Sequence, residues 1–223
     1  MEKILILLPA FNCAHTLPGL IAKIACQAPI ASILVVDDGS TDGSFDAVRK
    51  AGAIALRLPE NRGKGAALHT GFQYARANGF DAVVTLDADS QHDPSDLRAF
   101  LDSNADLALG CRDFQRGVMP FWRILSNRLT SFVVRRVTGK NIIDSQCGYR
   151  KVVLWALEGF TPCYEGYQYE TELLLYVARN DEAVVENVPV KTLYNGQASH
   201  IRHFRDMRQF IVAVIRSLWC IIK

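Results

Sequence analysis

The strongest constraint on the fold of this 223-residue chain is an alternation of apolar and helix-like segments in its first half. Short, nearly continuous apolar runs such as residues 31–38 (ASILVVDD) and 81–87 (DAVVTLD) alternate with segments of helical spacing, such as residues 65–79. Strands of this kind are typical of parallel sheets that helices cover on both faces. The pattern therefore predicts an α/β fold with a Rossmann-like, mostly parallel sheet flanked by helices.

The remaining segments extend this fold without a linker or a second-domain boundary. In the second half of the chain, the sequence predicts a long, basic, amphipathic helix at 119–137. It also predicts a loop and then a strand over 141–154, and a helix over 167–180. An edge strand over 183–190 is expected to stop at Pro189, because proline lacks the N–H that a sheet ladder uses. The sequence thus predicts one domain over residues 1–203 and an amphipathic C-terminal helix over 204–223.

Composition excludes several classes of protein. The net charge is only +2, which gives no general argument for binding nucleic acid. The six cysteines form no CxxC pair, so we expect reduced thiols in a cytoplasmic protein. No apolar run approaches the roughly 18 residues that span a bilayer, so a transmembrane helix is not predicted.

Paired carboxylates follow one of the predicted strands. In LDADSQHDP, Asp87 and Asp89 are two residues apart, so in an extended chain they share a face. Two close carboxylates repel each other unless a cation lies between them, and oxygen ligands of this kind suit Mg²⁺ or Mn²⁺. Helix capping by Asp93 before Pro94 is the alternative, and it leaves the first two carboxylates without a role.

Two further polar loops end predicted strands of the same sheet. Asp37 and Asp38 in VVDDGSTD serve either as ordinary turn and capping residues or as site residues. In NRGKGAAL, Lys64 lies between two glycines just before a helix, where backbone N–H groups can cradle a phosphate. Since ligands bind beyond the carboxyl ends of parallel strands, all three loops are expected to open into one crevice.

These motifs resemble a known family. LLPAFN, VVDDGSTD, NRGKGAAL and LDADSQHDP, in this order, are similar to the inverting family 2 glycosyltransferases of GT-A fold. The later stretches GCR, FWRILSNR, DSQCGYR and YNGQASH resemble the branch typified by dolichol-phosphate mannosyltransferase and bacterial polyprenyl-phosphate glycosyltransferases. The resemblance extends to about residue 205.

The resemblance implies a set of site residues. The nucleotide-sugar would contact Pro9, Phe11, Val36, Asp38, Lys64, Asp87 and Ala88. The metal would be held by Asp87, Asp89 and Gln91, the acceptor phosphate by Arg112 and Arg123, and Asp144 would be the general base. The family usually has Tyr at Phe11 and often Glu at Cys13, so the base of the nucleotide stays open.

The implied activity is metal-dependent transfer of a sugar, with inversion, from a nucleotide-diphosphate sugar to a polyprenyl phosphate. Mg²⁺ or Mn²⁺ is the expected cofactor, and the protein is expected at the cytoplasmic face of the membrane, by peripheral contact or through a membrane partner protein. A lipid phosphate is already an anion, so cations that hold it matter more than a base. The alternative keeps the same donor and uses a saccharide acceptor in cell-envelope polysaccharide synthesis.

Blander interpretations remain open for several of these residues. Asp144 also fits an Asx-turn, and Arg128, Arg135 and Arg136 also fit a solvated helix face. Either Glu170 or Glu172 is expected to face the sugar pocket, and the C-terminal helix packs on the core or lies in a membrane interface. A nucleotidyltransferase is disfavoured because LLPAFNCAHT contains no glycine, and a non-catalytic binder is disfavoured by the intact carboxylates.

Overall fold

A computed structural model describes residues 2–28, 32–89, 92–113 and 121–191, with the backbone alone at 32 and 121–123. Seven strands of these residues form one sheet. They are β1 (Ile4–Ala10), β2 (Ser32–Asp37), β3 (Ile54–Arg57), β4 (Ala82–Thr85), β5 (Leu107–Arg112), β6 (Arg150–Val153) and β7 (Val185–Val190). Their order across the sheet is β3-β2-β1-β4-β6-β5-β7.

Helices cover both faces of the sheet. They are α1 (Leu17–Gln27), α2 (Ser44–Lys50), α3 (Lys64–Ala77), α4 (Leu97–Asp102), α5 (Phe121–Thr138) and α6 (Gln168–Ala178), with 3-10 turns at Pro94–Asp96 and Leu154–Leu157. Successive side chains of a strand point to opposite faces, so Leu5 and Leu7 join the core under α3 and α6. Ile6 and Leu8 join the second core, which contains the buried residues of α1 and α4.

One strand runs against the rest. β6 pairs antiparallel with β4, where Thr85 lies opposite Arg150, and antiparallel with β5. The other described neighbours pair parallel. Residues that precede β6 therefore lie at the same edge of the sheet as residues that follow β4 and β5. The prediction of a mostly parallel α/β sheet flanked by helices is confirmed.

The predicted end of β7 is wrong. The strand continues through Pro189 to Val190, and Cys111 of β5 lies opposite Pro189. Among the described strands β7 lies at the edge of the sheet, a position at which a strand tolerates proline because its outer side pairs with no other described strand. The predicted C-terminal helix over 204–223 lies outside the described residues.

None of the described helices is both long enough and apolar enough to cross a membrane.

Candidate active site

The loops after β1 and β2 are bonded to each other at the carboxyl edge of the sheet. Pro9 and Val36 lie opposite each other in the β1–β2 register. Beyond the strands, the Asn12 backbone N–H donates to Ser40 Oγ over 2.8 Å, and Asn12 Oδ1 accepts from the Thr41 N–H over 3.0 Å. The structure thus brings together two predicted nucleotide contacts, and the exposed Phe11 ring stands beside them.

Asp38 braces the next loop along the edge. Its two carboxylate oxygens accept the backbone N–H groups of Arg62 and Gly63, each over 2.8 Å. Asp38 is buried, as is Asp37, whose Oδ1 accepts from the Ser40 N–H over 3.0 Å. The carboxylate therefore fixes the loop that precedes α3, and its predicted contact with a ribose stays a prediction.

Lys64 joins two carboxylates from different elements. As the first residue of α3, it places Nζ 2.6 Å from Asp87 Oδ1 and 2.8 Å from Glu170 Oε2, in α6. Burial by itself would raise the pKa of Asp87, but the Lys64 ammonium and His92 together outweigh it and hold this pKa below its usual range. Burial would lower the pKa of Lys64, and the two carboxylates together raise it instead. Lys64 and Asp87 are therefore both charged at neutral pH.

The loop before β6 closes against the same carboxylate. A Cβ built on Gly148 would lie only 2.6 Å from Asp87 Oδ2, so any larger residue would displace the carboxylate. His92 Nε2 lies 3.8 Å from the same oxygen. Asp87 is thus held on several sides, by α3, by the loop before β6 and by the segment that follows β4.

Asp89 lies on the side of the site that faces the loop after β1. Its negative charge adds to burial, the larger cause, in raising the pKa of Cys13. Thr16 Oγ1 donates to the carbonyl of Ala88 over 3.0 Å and anchors the loop between the two carboxylates. This anchor fixes the direction in which the chain leaves β4.

The carboxylates after β4 fit a divalent ion that shares its coordination with a phosphate. In the part of the chain that the structure describes, no three His, Cys, Asp or Glu side chains are grouped closely enough to hold a metal. Mg²⁺ is usually bound through one or two carboxylates together with substrate phosphates and water, which is what Asp87 and Asp89 offer. Gln91, the third predicted ligand, lies outside the described residues.

Asp144 is fully buried and fully paired. Arg112, the last residue of β5, donates through Nε over 2.7 Å and through Nη2 over 3.0 Å, one bond to each carboxylate oxygen. Asn127 Nδ2 donates over 2.6 Å, and the Gln146 N–H donates over 3.1 Å. Burial would raise the pKa of Asp144, but Arg112 and Asn127 outweigh it and lower this pKa. A carboxylate in this state is a weak base and a strong anchor for Arg112.

Arg123 belongs to α5 by its backbone, and its side chain lies outside the description. Its predicted contact with an acceptor phosphate stays a prediction.

The comparisons with known proteins agree with this geometry. The model of the family described as "Glycosyl transferase family 2" matches residues 5–157. The chain belongs to this family. Polyprenol monophosphomannose synthase of Mycolicibacterium smegmatis is 30% identical over 207 residues, which cover 85% of this chain and 77% of that protein. Undecaprenyl-phosphate mannosyltransferase of Micrococcus luteus is 29% identical over 201 residues, covering 84% and 82%.

A solved structure shows the fold of this glycosyltransferase. Glucosyl-3-phosphoglycerate synthase from Mycobacterium tuberculosis, in complex with Mn²⁺ and UDP-glucose, superposes with a TM-score of 0.74 at 20% identity. The match covers 97% of this chain and 79% of that chain. The protein has the GT-A fold, and the resemblance to the polyprenyl-phosphate branch of family 2 is confirmed.

One residue of this glycosyltransferase was not identified from the sequence, and another was left as one of two alternatives. Asn127 holds Asp144, and Glu170 holds Lys64. A signal for Asn127 is present, since Asn127, Thr130 and Ser131 recur at helical spacing and share one face of α5, which the structure buries. Glu170 and Glu172 could not be told apart by pattern. Glu172 instead accepts the N–H groups of Cys163 and Tyr164.

Proposed function

We propose that this glycosyltransferase transfers a sugar from a nucleotide-diphosphate sugar to a polyprenyl phosphate, with inversion and with Mg²⁺ or Mn²⁺. The observation that carries the proposal is the saturation of Asp144 by Arg112 and Asn127. Arg112 is then an anchored cation that suits an acceptor phosphate. A hydroxyl acceptor would instead need an available base, and Asp144 is already fully hydrogen-bonded. The two named relatives, a polyprenol monophosphomannose synthase and an undecaprenyl-phosphate mannosyltransferase, support the same acceptor class.

The donor would lie along the edge formed by β1, β2 and β4. Phe11 would contact the nucleoside, since it is exposed and available for stacking on a base, whereas Pro9 and Val36 are buried at the ends of β1 and β2 and would support this place from below. Asp38 would contribute indirectly, because it holds in place the loop that leads into α3. Lys64 and Ala88 would lie along the diphosphate, with Lys64 kept charged by its two carboxylates.

Asp87, Asp89 and Gln91 would hold the divalent ion. When bound, such an ion supplies positive charge to a departing diphosphate. Lys64 prepares this place in the protein, because it keeps Asp87 ionised and fixed.

The acceptor would approach from the side of β5 and the loop before β6. A phosphate oxygen of the lipid forms the new bond to the anomeric carbon on the face opposite the leaving group. The bond from that carbon to the diphosphate oxygen breaks, and the electron pair leaves with the diphosphate. Arg112 and Arg123 would hold the lipid phosphate, and Asp144 orients Arg112. No proton has to be removed, because a phosphate monoester is ionised at neutral pH.

We also propose where the enzyme works. A polyprenyl phosphate resides in a membrane, so the protein would act at the cytoplasmic face, attached peripherally or through a membrane partner protein. We propose a glycosyltransferase domain over residues 1–203 and an amphipathic helix over 204–223 that contributes to this attachment.

A direct assay tests the acceptor. The protein is incubated with Mn²⁺, a panel of nucleotide-diphosphate sugars and either a short-chain polyprenyl phosphate or free oligosaccharides. We expect transfer to the lipid phosphate and none to the oligosaccharides. Transfer to oligosaccharides alone would establish the saccharide acceptor instead, and no transfer with any donor would contradict the proposal.

The role of Asp144 is tested by Asp144→Asn, which keeps the shape and removes the charge that holds Arg112. We expect the KM for polyprenyl phosphate to rise about ten- to hundredfold with a smaller change in kcat, since hydrogen bonds to charged groups contribute about 1.5–3 kcal/mol. The measurement is initial rate against acceptor concentration across a range of pH.

The matched control is Asp106→Asn, whose carboxylate accepts hydrogen bonds from Trp155 and Val184 away from the site. A base would behave differently: kcat would fall with an altered pH profile while KM stayed constant, and that outcome would restore the base role predicted from the sequence.

A further inference from the structure

The burial pattern of α5 departs from that of an ordinary surface helix: its buried face is partly polar, although it also contains Ile124 and Val134, and its outward face is strongly apolar. Its buried face carries the polar side chains of Asn127, Thr130 and Ser131, each about 1% exposed. Its outward face carries Leu125, Leu129 and Phe132, which are 46%, 52% and 57% exposed. A surface helix of a soluble domain normally turns its apolar residues toward the core and its polar residues toward water.

The contacts of the inward polar residues explain why they are buried. Asn127 donates to Asp144 over 2.6 Å, and Ser131 Oγ accepts the Ser145 N–H over 2.9 Å. The polar face of α5 is thus used to build the acceptor side of the site. On the opposite face, none of the described residues buries Leu125, Leu129 or Phe132.

The outward residues form one stripe. Leu125, Leu129 and Phe132 follow one another at intervals of four and three, so they lie above one another along the helix. The stripe is roughly 10 Å long at 1.5 Å per residue. Single exposed apolar side chains are ordinary on a protein surface, but a contiguous group of large ones marks an interaction surface.

Positive charge borders the stripe. Arg128, Arg135 and Arg136 are exposed, and none of them pairs with a carboxylate among the described residues. No Asp or Glu occurs in the sequence from residue 121 to 143. A helix with an apolar stripe and basic flanks fits an anionic lipid surface, where arginine places its charge at the headgroups while its stem covers apolar surface.

We infer that α5 is a membrane-docking surface, with Leu125, Leu129 and Phe132 inserted at the edge of the acyl layer and the three arginines at anionic headgroups. This surface is separate from the C-terminal helix predicted at 204–223. The evidence for membrane binding comes from α5 alone. The link between this binding and the lipid acceptor rests on the proposed function. The opposite face of α5 holds Asp144 and through it Arg112, so the acceptor phosphate would be received within about one helix diameter, ~10 Å, of the bilayer.

Co-sedimentation of the full chain with vesicles tests the docking. The vesicles are phosphatidylcholine alone, or phosphatidylcholine with phosphatidylglycerol, and contain no polyprenyl phosphate. We expect binding to the anionic vesicles, and we expect Leu129→Ser combined with Phe132→Ser to weaken it at least about tenfold, because two large apolar side chains no longer leave water. The matched control is Ile54→Ser combined with Trp155→Ser, two exposed apolar residues on other elements, which should leave binding unchanged.

Several outcomes would overturn the inference. One is a wild-type chain that ignores anionic vesicles, and another is a stripe variant that binds them as well as the wild type. A stripe variant with a changed Tm and unchanged vesicle binding would show that residues 192–223 or a second copy of the chain cover the stripe.

A second readout separates this inference from the proposed function. Transfer to a water-soluble, short-chain polyprenyl phosphate should be the same in the stripe variant and the wild type. If the wild type transfers to no such acceptor while the stripe variant alone loses vesicle binding, the proposed function fails and the docking surface stands. If the stripe variant loses transfer to the short acceptor, the stripe belongs to the site and the inference is wrong.

Discussion

Lys64 is the residue on which the charge balance of the site depends. One ammonium group serves Asp87, from the loop after β4, and Glu170, from α6. All three side chains are mostly buried, so bulk solvent is a poor alternative partner for either carboxylate. When one partner of a buried charge pair is removed, the other remains as an uncompensated charge, and that cost exceeds the net value of the pair.

Lys64→Met is therefore expected to lower the free energy of unfolding by about 3 kcal/mol at pH 7. In the folded wild type the pKa of Asp87 is lowered, so its contribution is present above the unfolded pKa of about 3.9 and is lost as pH falls toward the folded value. The pKa of Lys64 is raised, so it stays charged throughout this range. The difference between wild type and variant should shrink below about pH 4. Urea unfolding at several pH values measures it.

The control is Lys50→Met, at an exposed position near the end of α2. We expect a change within about 0.5 kcal/mol at every pH, as for most surface substitutions. An equal loss for Lys64→Met at pH 7 and pH 3.5 would show that packing of the side chain, not its charge, stabilises the site.

At this scale the sequence identifies residues better than partners. Asp87 and Asp144 are singled out by their motifs, and both lie in the site. The sequence does not show that the oxygens of Asp144 are already taken, since Arg112 and Asn127 reach it only once β5, β6 and α5 are assembled. It likewise cannot join Lys64 to Glu170, because helices α3 and α6 meet only in the folded protein.

At the scale of elements, the contact between α3 and α6 depends on Gly65. A Cβ there would lie 2.5 Å from the Gly166 carbonyl oxygen and 2.5 Å from Tyr169 Cβ. The Ala66 N–H also donates to the Glu165 carbonyl over 2.9 Å. The sequence suggests that this glycine cradles a phosphate, and the structure adds a packing reason for it.

Gly65→Ala should destabilise the protein by about 1–3 kcal/mol, because an overfilled contact forces the two helices apart. Movement of α6 would also shift Glu170 away from Lys64, so affinity for the donor should fall. Gly19→Ala in α1 is the control: nothing lies within 4 Å of its Cβ, and alanine should stabilise the helix by about 0.5–1 kcal/mol. Thermal unfolding compares the two. Equal stability of both variants would show that the contact between α3 and α6 can accommodate a methyl group at residue 65.

Periodicity predicts which elements exist but not how they are used. The sequence predicts α5 as a basic amphipathic helix, and the helix is there. Periodicity does not indicate which face is buried, because the usual rule places apolar residues inside, whereas α5 buries Asn127, Thr130 and Ser131 beside Ile124 and Val134 and leaves other large apolar residues exposed. The boundary at Pro189 was mispredicted for a similar reason, since the effect of proline depends on whether its strand lies at an edge.

At the scale of the whole molecule, the sheet has a protected centre and exposed margins. β1 and β4 lie in its middle, and the described strand residues there are almost entirely buried. β3 lies at one edge, and the side chains at its two ends are exposed. Local opening requires less free energy where few apolar contacts are lost.

Hydrogen exchange followed by mass spectrometry should therefore show the slowest amides in β1 and β4 and faster exchange in β3. If β3 exchanged as slowly as β1, an additional strand or a second copy of the chain would have to cover that edge.

The strand order is the part of the whole fold that the sequence leaves undetermined. Alternating apolar and helical segments are enough to predict a covered parallel sheet, because both faces must be buried. No local signal tells β6 to enter between β4 and β5 in the opposite direction. That choice depends on pairings between segments far apart in the chain.

Because β6 runs opposite to its neighbours, residues that lie together at one edge of the sheet are encoded in distant parts of the gene. On the proposed function, the residues that select the donor all leave strands and are encoded before the end of β5. Asp144 and Gly148 lead into a strand and are encoded after α5. Arg112, at the end of β5, is encoded before α5 and its partner Asp144 after it, so a crossover between homologous genes in the stretch between β5 and α5 would separate them, and a hybrid of this family would keep the acceptor site only where both parents carry this pair.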